Sequence, residues 1–500
     1  MSVATTADPR RWKALVFLCL AELMVVLDGT IVNIALPAAQ RDLNFSDADR
    51  QWVVTAYALA FGGLLLLGGR IADLWDRKRA FVTGAVGFAA ASALGGAAVN
   101  TSTLLTARAL QGAFGALLAP AALSLLSLLF TEARERARAY GVYGAIAGAG
   151  AAIGLLLGGV LTEYLDWRWT LLVNIGFAAV AAAGVLSLVE GRPPGRRRGF
   201  RSRARGLDLP GAVLACGGAV CLVYGLARAE SDGWASAPTL GLLGGAALLV
   251  TAFVVLESRV PRPLLPMRVV LDRNRGGAYL CLAITFVSMF GLFLFLTYYL
   301  QAVLGFGPLR CGLAFMPLTA GIMIGATRIS APLVPRVPAR VLMVPGFLTG
   351  AAGLAILAQI GPDGSYARIV LPGTFVMGLG LGAVLMPVMS LATLGVDARD
   401  TGVASAMVTA SQQLGGAIGT ALLNTVATTA TGSYLRHHLP ALPAAAAGVR
   451  VRGVVHGFSV AIWCAAGFLV LAAAVAALLI NHRPRAAVRR GGAAAVTAGP

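Results

Sequence analysis

The stretch LDGTIVNIALP, Leu27 to Pro37, ends an apolar run that begins near Ala14 and carries one carboxylate, Asp28, close to its middle. The run is long enough to cross a bilayer as a helix, which needs roughly 20 mostly apolar residues. A charge at that depth costs about 3 kcal/mol on insertion scales, so such residues usually face a cavity or a partner. The stretch therefore predicts a membrane-spanning helix whose carboxylate has a function or a specific partner.

The rest of the chain is also apolar. Hydrophobic residues make up 58% of the 500 residues, charged residues only 12%, and the mean hydropathy is +0.80. A soluble protein of this length needs more charge. A lipid-embedded backbone must satisfy its polar groups internally, and the alternating ten-residue pattern of a membrane barrel is absent from the sequence. We therefore expect an all-α polytopic membrane protein.

Apolar runs of spanning length recur along the chain, and we count fourteen. An even number of spans places both termini on the same side of the membrane. The expected spans are residues 14–37, 52–72, 80–99, 104–130, 139–162, 169–190, 209–228, 238–257, 277–303, 309–332, 341–360, 367–394, 402–426 and 453–480.

Lys and Arg are distributed unevenly between the two sets of loops. The terminal side carries 30 of the 40, the opposite side carries 9, and Arg108 lies within a span. Because short cytoplasmic loops are enriched in Lys and Arg, we expect both termini in the cytoplasm and the protein in the cytoplasmic membrane. Basic loops beside anionic headgroups account for the net charge of +19 without a nucleic-acid partner.

A basic segment, RPPGRRRGFRSRARG at 192–206, divides the chain. We interpret it as a flexible cytoplasmic linker, with a regulatory or lipid-binding role as the alternative. On either side of it, GALLAP (115–120) and GAVLMP (382–387) echo each other, which is typical of duplicated transporter halves. The expected units are a six-helix bundle (1–190), the linker with two inserted helices (191–276), a second six-helix bundle (277–482) and a cytoplasmic tail (483–500).

The reactive residue types form no recognisable site in the sequence. The six cysteines include no C-x-x-C pair, and the four histidines follow no metal-ligand pattern. A Walker-type phosphate loop is absent as well, which argues against ATP as the energy source. We therefore expect no metal, no cofactor and no enzymatic activity. A membrane-embedded enzyme and a channel remain the alternatives from other classes.

Three charged residues lie well inside expected spans: Asp28, Glu22 and Arg108. Asp28 is interpreted either as a carboxylate that gains and loses a proton in a water-filled cavity or as a structural group tied to Thr30, Asn33 or a neighbouring helix. Arg108 suits a buried carboxylate or a cluster of carbonyl groups as its partner. Glu22 lies about 120° from Asp28 around an ideal helix, so we expect the two carboxylates to line different walls.

Seven segments, taken in order, resemble signatures of the major facilitator superfamily, specifically its fourteen-span drug:proton antiporters of the EmrB/QacA type. LDGTIVNIALP resembles the first-span signature, with Asp28 at the acidic position. The other six, which extend the resemblance over nearly the whole chain, are GGRIADLWDRKR (68–79), TARALQG (106–112), GAIAGAGAAIGLLLGG (144–159), WRWTLLVNIG (167–176), TYYLQAVLGFGPLRCGLAFMP (297–317) and GVASAMVTASQQLGGAIG (402–419).

The resemblance implies a major facilitator fold and proton-driven export of a lipophilic or cationic drug or antibiotic by alternating access. Export of one endogenous metabolite or antibiotic is the alternative. The resemblance implies proton coupling through Asp28 and Arg108, with Arg108 as a candidate partner of Asp28. Glu22, the other carboxylate within the first span, is a further candidate for proton coupling. The residues expected to gate the cytoplasmic face are Gly69, Asp73, Arg77 and Arg79. Further motif positions are Asn33, Pro37, Gln111, Gly112, Gly154 and Gly158.

The second half has no comparable carboxylate within a span, so we expect an apolar, aromatic cavity there. Its candidate substrate contacts are Phe295, Tyr298, Tyr299 and Gln412. We expect a monomer in the lipid bilayer. The chain departs from the family pattern at Asp76, where glycine is usual, and at Leu155, where proline usually follows the glycine. We expect Asp76 to alter the gating loop and Leu155 to remove a kink from the fifth span.

Overall fold

The computed structural model describes residues 10–130, 132–189, 208–260, 263–334, 336–396, 401–438 and 443–481. The predicted linker at 192–206 and the predicted tail at 483–500 lie outside these ranges. Regular secondary structure within the described ranges is helical throughout. The expectation of an all-α protein is therefore confirmed.

The helices before residue 260 correspond one to one with the first eight expected spans. They are α1 (Arg11–Leu43), α2 (Asp47–Leu74), α3 (Arg77–Gly96), α4 (Thr101–Leu129), α5 (Ala133–Tyr164), α6 (Trp169–Leu188), α7 (Leu209–Asp232) and α8 (Ala237–Arg259).

The helices after residue 260 are more interrupted. They are α9 (Met267–Val270), α10 (Arg273–Tyr298), α11 (Pro308–Ala314), α12 (Met316–Ile324), α13 (Ala331–Leu333), α14 (Ala339–Leu357), α15 (Leu371–Thr393), α16 (Thr401–His438) and α17 (Pro443–Leu479). Three π-helical turns join or extend them: Tyr299–Val303, Gly325–Ser330 and Tyr366–Val370.

Eleven helical segments in the described ranges are long and apolar enough to cross a membrane, against the fourteen expected from sequence. The other three expected spans coincide with α3, α5 and α16, which are helices of 20, 32 and 38 residues. Basic residues open α3, and Thr, Ser and Gln interrupt the apolar pattern of α16. In α5, the apolar part among the described residues is Ile153–Tyr164, which is shorter than a span.

Polar side chains set the starts of several helices by binding free backbone N–H groups. Ser46 accepts a hydrogen bond from the backbone of Asp49 at the start of α2, and Asn100 accepts one from Thr103 at the start of α4. Asp272 does the same for Arg275 at the start of α10. These three helices therefore begin where the sequence supplies a cap and then continue through an apolar run.

The helices form two closely packed groups, α1–α6 and α10–α17, with α7 and α8 packed on each other beside them. Glycines allow the closest approaches, because a side chain there would meet the neighbouring backbone. A Cβ at Gly112 of α4 would overlap the Tyr57 carbonyl of α2. A Cβ at Gly415 of α16 would overlap the Ala283 carbonyl of α10. The two groups meet where α2 packs on α16 and where α5 packs on α11.

Candidate functional site

Asp28 and Arg108 form an ion pair in the interior of the first helix group. The Arg108 Nη1 to Asp28 Oδ2 distance is 2.6 Å, and the side chains are 1% and 0% exposed. Two amides also bind the carboxylate: Gln111 Nε2 donates to Asp28 Oδ1 at 3.0 Å, and Asn174 Nδ2 donates to the same oxygen at 2.7 Å. Three donors from α4 and α6 thus converge on one carboxylate of α1.

The guanidinium of Arg108 is held by neighbours besides Asp28. Its Nε donates to the Val53 carbonyl of α2 at 3.0 Å, and its Nη1 donates to Gln111 Oε1 at 2.9 Å. The ring of Tyr57 lies 4.4 Å from the guanidinium carbon. A cation against an aromatic face is stabilised by the electron-rich face of the ring. Arg108 therefore ties α1, α2 and α4 together.

If Asp28 has a structural role, its expected partners are Thr30, Asn33 or a neighbouring helix. Thr30 instead donates to the carbonyls of Val26 and Leu27, and Asn33 donates to the carbonyl of Gly29. Both hydrogen bonds stay within α1. A neighbouring helix is therefore the partner of Asp28, and the ion pair supplies the carboxylate partner that was one of the two possibilities for Arg108.

Glu22 lies apart from this cluster, as its angle around α1 predicts. Tyr143 of α5 donates to Glu22 Oε2 at 2.5 Å, and Glu22 is half-buried. The two carboxylates of α1 therefore have separate partners on separate helices. This arrangement gives Glu22 a contact with α5 and Asp28 contacts with α4 and α6.

The glycines of the fifth-span motif line the contact between α5 and α1. A Cβ at Gly154 would overlap Thr30 Oγ1, and one at Gly158 would lie 2.8 Å from the Ile31 carbonyl. Leu155 is buried, and its carbonyl lies 2.6 Å from the Cβ position of Gly312 in α11. These residues therefore place α5 against α1 and against the second helix group. Pro37, from the first-span signature, is buried inside a continuous α1.

The predicted gating loop joins α2 to α3. Asp76 Oδ1 accepts a hydrogen bond from the backbone N–H of Arg79 at 3.1 Å, which makes Asp76 the N-cap of α3. Asp76, at a position where the family usually has glycine, therefore caps α3. This role was not predicted from the sequence. A Cβ at Gly69 of α2 would lie 3.7 Å from Pro120, and Arg77 is the first residue of α3. The side chain of Asp73 lies outside the described part of the chain.

The candidate substrate contacts of the second half divide into two sets. Phe295 is buried against Phe458 with ring centroids 5.4 Å apart, and Tyr299 donates to the Gly361 carbonyl at 2.8 Å. These two side chains are engaged in packing within the second group. Gln412 is half-buried on α16. Tyr298, in contrast, reaches the first group.

Five residues form a cross-group cluster at the end where α1 stops and α2 begins: Gln40, Arg50, Tyr298, Gln301 and Asn424. Tyr298 donates to Gln40 Oε1 at 2.5 Å, and Gln301 donates to the Ile34 carbonyl at 3.0 Å. Arg50 lies 4.1 Å from the Tyr298 ring and donates to Asn424 Oδ1 at 3.4 Å. The cluster therefore joins α1 and α2 to α10, the π-helical turn that follows it, and α16.

Sequence reasoning missed two members of these clusters. Arg50 lies outside the expected span 52–72, in a loop, yet α2 begins at Asp47 and Arg50 is only 5% exposed. Asn174 lay within a quoted motif but was not singled out. A lone amide in the otherwise apolar centre of α6 was the available signal.

Comparison with known proteins agrees with this architecture. Residues 18–420 match the Major Facilitator Superfamily. The chain is 52% identical over 495 residues to the puromycin resistance protein pur8 of Streptomyces alboniger, covering 99% of this chain and 96% of that protein. It is 39% identical over 429 residues to the cephamycin export protein CmcT of Amycolatopsis lactamdurans, covering 85% of each.

Solved structures share the fold at low sequence identity. The POT family transporter PepTSo has a TM-score of 0.64 at 17% identity, with 93% of this chain and 97% of that chain covered. A bacterial homologue of the human lysosomal transporter Spinster has a TM-score of 0.60 at 16% identity, with 95% and 100% covered. These relatives are antibiotic resistance and export proteins, and they identify the chain as a multi-pass membrane transporter and not an enzyme. The chain belongs to the major facilitator superfamily.

Proposed function

We propose that this protein exports an antibiotic across the cytoplasmic membrane in exchange for protons, by alternating access. The observation that carries the proposal is the Asp28–Arg108 ion pair, sealed from solvent among α1, α2, α4 and α6. Ionisable residues buried within membrane spans commonly mark proton or substrate pathways. Because its only described charge partner is an arginine, which stays protonated, the carboxylate is the member of the pair that can take up a proton.

The similarity to pur8 supports an antibiotic substrate and makes puromycin the first compound to test. Other relatives are named for cephamycin export and for tetracenomycin C resistance and export. Such names support export of one antibiotic or metabolite by each protein. Broad export of lipophilic or cationic drugs is the second candidate, favoured by the resemblance to the EmrB/QacA type.

Fourteen spans, rather than eleven, are part of the proposal. Helical segments occupy all fourteen expected positions, and α3, α5 and α16 are packed among the apolar helices. We propose that residues 1–190 and 277–482 are the two halves that rock against each other, with α7 and α8 inserted between them in the chain. The positive-inside distribution supports cytoplasmic termini. The proposed functional unit is a monomer in the lipid bilayer.

The cross-group cluster supports a state that is closed at the end where α1 stops, which the charge distribution assigns to the outside. In the proposed cycle, a proton from outside neutralises Asp28 and weakens its contact with Arg108. The loss of the ion pair favours rocking of the two halves. Antibiotic then enters from the cytoplasmic side or the inner leaflet, and the proton leaves to the cytoplasm.

The test is puromycin accumulation in inside-out membrane vesicles energised by a pH gradient. We expect accumulation with the native chain, loss of accumulation when an ionophore collapses the gradient, and loss in Asp28→Asn. Glu22→Gln tests the other α1 carboxylate, which contacts Tyr143 and not the Asp28 cluster. Accumulation that survives Glu22→Gln would leave Asp28 as the coupling carboxylate, whereas its loss would include Glu22 in the proton path. Accumulation that survives both the ionophore and Asp28→Asn would contradict proton coupling. Tetracenomycin C and lipophilic cations serve as comparison substrates that separate specific from broad export.

A further inference from the structure

The surroundings of Asp28 suit its ionised form and lack an acceptor for its protonated form. Its described hydrogen-bond partners, Arg108 Nη1, Gln111 Nε2 and Asn174 Nδ2, are all donors. A protonated carboxyl carries an O–H group that needs an acceptor, and a buried O–H without one loses a hydrogen bond's worth of stabilisation. Protonation therefore requires one neighbour to change its role.

Two of the three neighbours cannot change without breaking other contacts. The guanidinium of Arg108 has donors only. Gln111 already uses both ends of its amide: its Oε1 accepts from Arg108, and its Nε2 donates to Ser92 Oγ at 2.8 Å as well as to Asp28. Reversing that amide would turn its NH₂ group towards the Arg108 guanidinium and lose the hydrogen bond that Oε1 accepts from Arg108.

Asn174 is placed differently. Its Nδ2 donates to Asp28, whereas its Oδ1 is buried and accepts no hydrogen bond from the described residues. The residue is 0% exposed. A half-turn of the Asn174 amide exchanges Oδ1 and Nδ2, which are similar in size. Oδ1 then faces the Asp28 carboxyl, and no hydrogen bond to Oδ1 is broken, because Oδ1 accepts none from the described residues.

We propose that Asn174 is the proton-responsive positioning residue of this site: it donates to ionised Asp28 and, after a half-turn of its amide, accepts the hydrogen bond of protonated Asp28. The proton stays on Asp28 in this step, and no covalent bond other than Asp28 O–H forms. The inference rests on the proposed function, in which Asp28 takes up the coupled proton.

The other ionisable groups near Asp28 are already engaged. Tyr57 of α2 interacts electrostatically with Asp28, Arg108 and Glu22, and its hydroxyl donates to the Val25 carbonyl at 3.3 Å. Tyr143 of α5 donates to Glu22. Neither hydroxyl is bonded to Asp28 in this structure. The nearby part of α3 contributes Ser92, which is bound by Gln111.

Infrared difference spectroscopy tests the switch on the full chain, purified with asparagine labelled by carbon-13 at the side-chain carbonyl. Spectra at low and high pH are subtracted. We expect an acid band that is lost in Asp28→Leu, accompanied by a labelled amide band that moves to lower frequency on protonation. That amide shift should vanish in Asn174→Leu. An acid band with no accompanying amide shift would overturn the switch while leaving proton uptake by Asp28 intact.

Absence of the acid band throughout the pH range would overturn proton uptake by Asp28, and the switch with it.

Transport provides a second readout that does not depend on the spectra. Asn174→Leu removes both roles and is expected to slow gradient-driven export by about tenfold or more, the scale of one hydrogen bond to a charged group. Asn174→Ser, whose hydroxyl both donates and accepts, should retain more activity. Equal losses in the two variants, at equal protein levels, would contradict the proposal.

Discussion

Asp28 of α1 and Arg108 of α4 are separated by 80 residues in sequence, yet their side chains meet at 2.6 Å with at most 1% of either exposed. A buried pair of this kind adds little net stability, because desolvation offsets the attraction. Removing one partner has a larger effect, because the other charge is left buried and unpaired. The pair therefore constrains which substitutions the first helix group can tolerate.

The first prediction separates the structural role of Asp28 from its transport role. Asp28→Asn leaves the Arg108 charge buried without its carboxylate and is expected to destabilise the protein by about 3–5 kcal/mol. The double variant Asp28→Asn with Arg108→Gln removes both charges and should recover most of that loss. Thermal unfolding of the purified protein in detergent measures both effects.

Export gives the second half of this test. Both variants should fail to accumulate antibiotic against a pH gradient, because neither retains a titratable group at position 28. Gradient-driven export by the stable double variant would show that the pair only holds the helices together. A double variant as unstable as Asp28→Asn would contradict the charge-balance argument instead.

Eleven of the fourteen expected spans could be predicted, because hydropathy is a property of each segment alone. The expected span at 14–37 follows from local sequence and coincides with α1. The caps that begin neighbouring helices are also local features, although they were not predicted from the sequence. The partner of Asp28 could not be chosen, since the approach of α1 to α4 and α6 depends on packing between distant segments. The burial of Arg50 could not be predicted for the same reason. Its charge favours a loop, whereas contacts with Tyr298 and Asn424, which are distant in sequence, bury it within α2.

The second prediction concerns the helix cap at Asp76. Asp76→Ala removes the acceptor for the Arg79 backbone N–H and should destabilise the protein by about 1 kcal/mol, whereas Asp76→Asn should retain most of the cap. Asp76→Gly, the residue usual in the related family, is expected to cost only a few tenths of a kcal/mol. Unfolding temperatures of the three variants measure this order. A loss in Asp76→Asn as large as in Asp76→Ala would contradict the capping role.

The third prediction concerns the contact between α5 and α1. A methyl group at Gly154 would overlap the Thr30 hydroxyl, whereas one at Gly158 would meet the Ile31 carbonyl. Overpacking of this kind typically costs about 1–3 kcal/mol. Gly154→Ala should be partly rescued by Thr30→Ala. Gly158→Ala would meet the backbone and side chain of Ile31, which Thr30→Ala leaves in place, and should resist rescue by that change.

Gly176→Ala is the matched control for these variants, because a Cβ there has nothing within 4 Å. It should leave export unchanged and should not lower the unfolding temperature, because alanine is the better helix former. Failure of Thr30→Ala to improve Gly154→Ala would mean that the close contact at Leu27, rather than the Thr30 hydroxyl, limits the approach of the helices.

The fourth prediction concerns the cross-group cluster. If the two halves rock, the hydrogen bond between Tyr298 and Gln40 must break whenever the end at which α1 stops opens. Tyr298→Phe removes that bond but keeps an aromatic face for Arg50, so it should favour opening. A cysteine at position 301, in a background without the native cysteines, should react faster with a membrane-impermeant thiol reagent in Tyr298→Phe than in the parent.

Locking the same contact should stop transport. Cysteines at positions 40 and 298, joined by a short cleavable bis-thiol reagent, are expected to abolish export, and cleavage of the linker should restore it. The same pair left unlinked is the control for the substitutions themselves. Export at the parental rate with the linker in place would contradict movement at this end, because the linked α1 and α10 could not separate there. Faster thiol labelling would show that the hydrogen bond between Tyr298 and Gln40 holds this end closed. A linker-sensitive export rate would show that the same end must open during turnover. Together the two results would identify the cluster as a gate.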